Sequence, residues 1–135
     1  MRRRIMTRRV LSLAAAAGIV LAALPASAQQ AVDVRVTLSN FGFAPEQVRV
    51  PARQKVTLTL VNSAKGGHNF AARDFFRAAR VDPADAAKID NGTVEVPGHG
   101  SVTIALTIDQ PGRYTLKCSH FLHATFGMTG AIVVE

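Results

Sequence analysis

One short segment near the end of the chain carries three side chains that bind soft metal ions. Cys118, His123 and Met128 place a thiolate, an imidazole and a thioether within eleven residues. Such ligands favour copper over hard cations. His68 supplies a second imidazole fifty residues upstream. Two histidines, one cysteine and a weakly bound axial methionine form the ligand set of electron-transferring copper sites, so these residues predict a mononuclear copper centre.

Cys118 lies at the end of a predicted strand. Residues 112–118 alternate in type, so Tyr114, Leu116 and Cys118 share one face. This pattern predicts a thiol that points inward. A buried cysteine acting as a small apolar side chain would explain the position by itself. The spacing Cys-x4-His-x4-Met favours a metal ligand instead.

The residues alone do not decide which histidine after Cys118, His120 or His123, would be the metal ligand. Segment 119–127 lacks alternation, which predicts a loop that returns His123 toward the thiol. His120 is only two residues from the cysteine, and a bend between them would bring it inward instead. We favour His123. His99 lies between glycines in the segment 97–100 and is predicted to be a turn residue, not a ligand.

Alternation of apolar and polar residues elsewhere predicts an all-β domain. The predicted strands cover residues 32–38, 47–50, 55–60, 93–96, 101–108, 112–118 and 130–134. Short strands with regular turns are typical of an antiparallel sandwich or barrel. Residues 71–92 break the alternation. Asp82-Pro83 followed by Ala86-Ala87-Lys88 predicts a short helix or irregular excursion there.

Residues 1–28 have the pattern of a secretory signal peptide. Five arginines precede an apolar stretch at residues 10–24, and Ala26-Ser27-Ala28 has the small residues of a cleavage site. The apolar stretch is shorter than the ~20 residues needed to span a bilayer. We therefore expect cleavage after Ala28 and export to the periplasm. The export route is Sec or the twin-arginine pathway. Residues 7–11 loosely resemble a twin-arginine signal.

The remaining residues, 29–135, are enough for one domain and too few for two. Five of the 16 basic residues and none of the nine acidic residues precede residue 29, so the net charge falls from +7 to +2. Nucleic-acid binding thereby loses the support of a strongly basic chain. The domain has one cysteine, so it forms no internal disulfide. An exposed thiol would be vulnerable in an oxidising compartment, and metal ligation explains its presence.

These motifs resemble the small blue copper proteins of the cupredoxin family, most closely the rusticyanin-like and azurin-like branches. The likeness covers most of residues 32–135, and its motifs are His68-Asn69-Phe70, residues 111–118, His123, residues 127–130, residues 41–50 and the strand from Lys55. It implies a Greek-key β-sandwich. His68, Cys118 and His123 would be the equatorial copper ligands and Met128 the axial ligand.

The resemblance also implies that Asn69 and Ser119 fix the ligand loops by hydrogen bonding. The chain departs from many relatives at two places. Phe121-Leu122 stands where they have Pro-Gly before the second histidine, and His120 is additional.

The implied function is single-electron transfer by one Cu(I)/Cu(II) ion to or from a redox partner such as a cytochrome or copper enzyme. We expect a monomer that is not an enzyme and is not inserted in a membrane after signal cleavage. The alternative is periplasmic copper sequestration or delivery, which His120 and the altered loop motivate. A cysteine-nucleophile enzyme is disfavoured because no orienting acid is evident, and zinc is disfavoured because it prefers carboxylate to thioether.

Overall fold

The computed structural model describes residues 28–121 and 128–135. The predicted signal peptide, apart from Ala28, and the predicted ligand His123 lie outside these residues. Within them no helix is long and apolar enough to cross a bilayer. The elements in chain order are β1 (Val32–Ser39), β2 (Gly42–Ala44), β3 (Gln47–Val50), β4 (Lys55–Asn62), β5 (His68–Ala71), α1 (Arg73–Ala78), β6 (Ala79–Val81), a 3-10 turn (Ala86–Lys88), β7 (Thr93–Val96), β8 (Ser101–Ile108), β9 (Gly112–Lys117) and β10 (Thr129–Val134).

The strands form two five-stranded sheets. Their orders are β2-β1-β4-β8-β6 and β3-β10-β9-β5-β7. The β1–β4 and β3–β10 pairs are parallel, whereas the other pairs are antiparallel. The parallel pair β1–β4 arises because the chain visits the second sheet at β3 before it returns. The predicted all-β sandwich is confirmed, although its pairing is not wholly antiparallel.

The core lies between the two sheets and follows the sequence alternation. In β4, Val56, Leu58 and Leu60 are at most 1% exposed, while the residues between them are only partly covered. The same alternation buries Ile104 and Ile108 in β8. Burial of such side chains is the main favourable term in folding, so the period-two pattern determines which faces meet.

Seven predicted strands are present with small differences at their ends, and three further strands were missed. β2 and β6 have only three residues each, which is too short for an alternation signal. β5 was missed for a different reason. His68 and Asn69 are polar but are buried together with Phe70, so the sequence of this strand shows no alternation of apolar and polar residues. Of the three missed strands, β5 is the one that carries His68.

The predicted excursion at residues 71–92 is present, but its helix is placed differently. Instead of starting an α-helix, the Asp82 carboxylate accepts a hydrogen bond from the Ala84 amide at 3.0 Å, and only a single 3-10 turn follows. The α-helix in the described part of this segment is α1, in which Phe75 and Phe76 are buried. Tertiary packing of these aromatic rings, which propensity does not reveal, stabilises this short helix.

Candidate metal centre

Cys118 and Met128 face each other across the open end of the β9–β10 pair. The Cys118 amide donates a hydrogen bond to the Met128 carbonyl at 3.0 Å, which continues the register of the pair beyond Lys117 and Thr129. Both residues are fully buried. The prediction of an inward thiol at the end of its strand is confirmed, and the proposed thioether ligand lies directly before the adjacent strand, β10.

His68 brings an imidazole to the same point from β5. It is 3% exposed, and its Nδ1 lies 4.0 Å from the Cys118 Sγ. Zinc, an ion similar to copper in size, binds thiolate at about 2.3 Å and imidazole at about 2.0 Å, which separates two such donors by about 3.5–3.7 Å at tetrahedral or trigonal angles. The observed separation fits one shared ion within a few tenths of an ångström. Two donors that prefer soft and borderline metals are therefore positioned to bind the same metal ion.

A buried amide at the end of β4 holds the loop that leads to His68. Asn62 is 1% exposed. Its Nδ2 donates to the Gly66 and Val96 carbonyls at 2.9 and 3.0 Å, and its Oδ1 accepts from the Ala64 amide at 2.9 Å. All of its strong hydrogen-bonding positions but one are thus used locally. This one side chain joins the loop to β7 and so positions the first residue of β5.

The turn between β7 and β8 packs tightly against the same loop. The His99 amide donates to the Ala64 carbonyl at 3.0 Å. A Cβ on Gly98 would lie 1.9 Å from the Lys65 carbonyl oxygen, so only glycine permits this approach. His99 itself has a φ of +56° and is exposed. The prediction that His99 is a turn residue is confirmed.

Asn69 connects the strand of His68 to the strand end of Cys118. Its Nδ2 donates to the Ser119 Oγ, and its Oδ1 accepts from the Ser119 amide, both at 2.8 Å. Its own amide donates a hydrogen bond to the Cys118 Sγ at 3.5 Å. These are the hydrogen bonds that the resemblance implied for Asn69 and Ser119.

Glu95 extends this network to His120, and sequence reasoning missed it. Its Oε1 accepts a hydrogen bond from the Asn69 Nδ2 at 2.7 Å, and its Oε2 lies 2.9 Å from the His120 Nε2. The His120 ring lies 6.5 Å from the His68 ring, centroid to centroid. Glu95 stands opposite Asn69 in the β5–β7 register. The sequence could have indicated this contact of Glu95 only if β5 had been recognised as a strand that pairs with β7.

The described residues supply part of the predicted ligand set. His68, Cys118 and Met128 come to one end of the sandwich, whereas His123 lies outside the described part of the chain. In residues 28–121 and 128–135, no group of three or more His, Cys, Asp or Glu side chains is arranged to hold a metal ion. Methionine is not among those four residue types. His68, Cys118 and Met128 together would offer one nitrogen donor and two sulfur donors.

Comparisons with known proteins agree with this fold. The family model of the cupredoxin-like domain matches residues 11–134. Auracyanin from Roseiflexus castenholzii is 21% identical with a TM-score of 0.57, over 78% of this chain and 98% of that chain. Auracyanin A, a "blue" copper protein from Chloroflexus aurantiacus, is 22% identical with a TM-score of 0.55, over 78% of this chain and 100% of that chain.

A larger protein contains a similar unit. The McoA multicopper oxidase of Aquifex aeolicus is 18% identical with a TM-score of 0.58, over 83% of this chain but only 31% of that chain. A search of curated proteins finds no match. Structural likeness at these identities shows the fold, and the family match covers nearly the whole chain. The chain therefore belongs to the cupredoxin-like family, and copper is the cofactor that this membership indicates.

Proposed function

We propose that this protein is a periplasmic electron carrier that binds one copper ion through His68, Cys118, His123 and Met128. The single observation that supports this most strongly is the separation of 4.0 Å between the His68 Nδ1 and the Cys118 Sγ. Both residues are buried, and they come from strands fifty residues apart. Bound copper would supply a one-electron couple between Cu(I) and Cu(II).

The protein's own contribution is a dry and rigid set of donors. Burial of Cys118 and Met128 excludes water from the sulfur ligands. The paired hydrogen bonds between Asn69 and Ser119 hold the His68 and Cys118 segments together. Donors that are already in position need little rearrangement when charge changes. Such a site suits repeated gain and loss of one electron better than a multistep reaction.

The partner would be another redox protein, such as a cytochrome or a copper enzyme. Phe121 follows His120 directly and is 88% exposed, which provides an apolar contact close to the site. Weak electron-transfer encounters use small interfaces, so a monomer with a small net charge is compatible with this role. Cleavage of residues 1–28 would release the domain into the periplasm.

A copper titration of the purified domain, residues 29–135, tests the proposal. With Cys118 reduced, added Cu(II) should give an intense visible band from thiolate-to-copper charge transfer. Cys118→Ser should abolish the band. His99→Ala should keep it, because His99 lies on a turn and is not one of the proposed ligands. The absence of a band in the native domain would count decisively against the proposal.

Copper sequestration or delivery is a second candidate, and one observation favours it. His120 places an additional imidazole beside His68. A protein that delivers copper could use such an imidazole to pass the metal to an acceptor. Stopped-flow mixing of the copper-loaded domain with a reduced cytochrome separates the two functions. Fast reversible oxidation of the cytochrome, with copper retained against a competing Cu(I) chelator, supports the electron carrier. Slow exchange with ready loss of copper supports delivery.

A further inference from the structure

We propose that Glu95 is a positioning residue that holds His120 outside the copper site, as a cover over His68, and so prevents His120 from acting as a ligand. This inference rests on the proposed copper-binding function. It settles a choice that the residues alone left open, since both His120 and His123 follow Cys118 within five positions.

The two carboxylate oxygens of Glu95 have separate partners. Oε1 accepts from the Asn69 Nδ2 at 2.7 Å, and Oε2 lies 2.9 Å from the His120 Nε2. An ionised carboxylate only accepts hydrogen bonds, so the His120 Nε2 carries the hydrogen. That nitrogen therefore has no lone pair for a metal while it donates to Glu95, and in a neutral ring only Nδ1 keeps one.

His120 is close enough to compete for the metal but is not placed to share it. The centroids of the His68 and His120 rings are 6.5 Å apart. An ion about 2.0–2.1 Å from a nitrogen of each ring would need the two rings on opposite sides of it, which a tetrahedral site does not allow. The His120 Cε1 lies 3.8 Å from the position of a Cβ on Gly67. The ring thus rests on the segment that leads to His68.

The restraint by Glu95 is separable from the rest of the network. If Glu95 is replaced by alanine, Asn69 and Ser119 keep both of their mutual hydrogen bonds. The Glu95 side chain is 65% exposed, so its removal leaves no cavity in the core. Glu95→Ala should remove this one restraint on His120 without loosening the strand end that carries Cys118.

The first experiment uses the metal-free protein. Carbethoxylation of histidines is followed by mass spectrometry, and the rate at His120 is divided by the rate at the exposed His99. In Glu95→Ala this ratio should rise about two- to five-fold, the factor that a partly exposed contact between polar side chains contributes. The control Glu135→Ala removes a carboxylate at the opposite end of β10 and should leave the ratio unchanged. An unchanged ratio in Glu95→Ala would overturn the restraint.

The second experiment uses the copper-loaded protein, with its visible and electron paramagnetic resonance spectra as readouts. His120→Ala should keep the native spectrum, Glu95→Ala should change it, and Glu95→Ala/His120→Ala should restore it. Rescue by the second substitution separates competition by His120 from a general structural defect. The conservative variant Glu95→Gln, which can still accept from Asn69, should stay folded and show a smaller change.

Loss of the charge-transfer band in His120→Ala alone would overturn the inference, because Glu95 would then be orienting a true ligand, as carboxylates do for many metal-bound histidines. An unchanged spectrum in Glu95→Ala would also overturn it. No band in the native protein would refute the proposed function instead. In that case the metal-free experiment would still decide whether Glu95 restrains His120.

Discussion

At the scale of single residues, a few polar side chains join segments that lie far apart in the chain. Asn69 is 1% exposed and links β5 to Ser119, beyond the end of β9. Buried amides of this kind stabilise a structure only when their hydrogen bonds are made, and they are costly when a partner is lost. The geometry of the proposed copper site therefore depends on residues that would not themselves touch the metal.

We predict that Asn69→Ala lowers the free energy of unfolding by about 1–3 kcal/mol, because it removes the hydrogen bonds to Ser119 and Glu95. Urea unfolding of the metal-free domain measures this change. Gln110→Ala, which removes an exposed amide, is the control and should change stability by less than about 0.5 kcal/mol. Equal stability of the two variants would contradict a structural role for Asn69.

A second prediction concerns Asp85, which supports the 3-10 turn. The hydrogen bond from Lys88, followed by that from the Ala105 amide, holds the pKa of the Asp85 carboxyl below its ordinary value. A pKa that is lower in the folded state adds stability above the unfolded value, near ~3.9, and this stability is lost as the pH falls through the folded value.

Asp85→Asn should therefore reduce the drop in Tm between pH 7 and pH 3, at the cost of a lower Tm at pH 7. Thermal unfolding monitored by circular dichroism at several pH values measures both effects. Asp33→Asn, at an exposed position of β1, serves as the comparison and should retain the native pH dependence. A native slope in Asp85→Asn would show that this carboxylate adds nothing to acid sensitivity.

At the scale of elements, the loop at residues 63–67 and the turn at residues 97–100 act as one unit that delivers His68 to the site. Asn62 binds the loop from within, and Gly98 brings the turn against it from outside. Neither element has regular secondary structure of its own. Their mutual packing replaces the strand pairing that positions Cys118.

We predict that Gly98→Ala destabilises the domain by about 1–3 kcal/mol, as overpacking commonly does, because its Cβ would meet the Lys65 backbone at 1.9 Å. Displacement of the loop should also weaken the visible band of the copper-loaded protein. Gly66→Ala is a matched control in the same loop, since nothing lies within 4 Å of its Cβ. Thermal unfolding and copper titration of both variants provide the comparison.

At the scale of the whole molecule, the sandwich keeps the proposed ligands in place by packing two sheets on one apolar core. Phe70 stands at its centre, adjacent to Asn69 in β5, and is fully buried. Its ring meets the rings of Phe43 and Phe76 edge to face, with centroids 6.0 Å apart. Such aromatic pairs add to the energy of burial, and they join α1 to both sheets.

Phe70→Ala should lower the free energy of unfolding by about 3–5 kcal/mol, the usual cost of removing a buried phenylalanine. Phe121→Ala, at an 88% exposed position, should change stability by less than about 0.5 kcal/mol. Chemical denaturation of the two metal-free variants measures the difference. A small effect at Phe70 would mean that the core rearranges to fill the space.

The amino-acid sequence by itself determined the fold class, most of the strands and the inward position of Cys118, because period-two alternation records which faces are buried. It also indicated His68 and Met128 through residue chemistry and resemblance to a family. His123, the signal peptide and the monomeric state stay predictions. Only the tertiary structure decided the placement of His68 on β5, the position of α1 and the contacts of Glu95 with Asn69 and His120. These features depend on pairing and packing between distant segments, and such contacts leave no local periodicity in the chain.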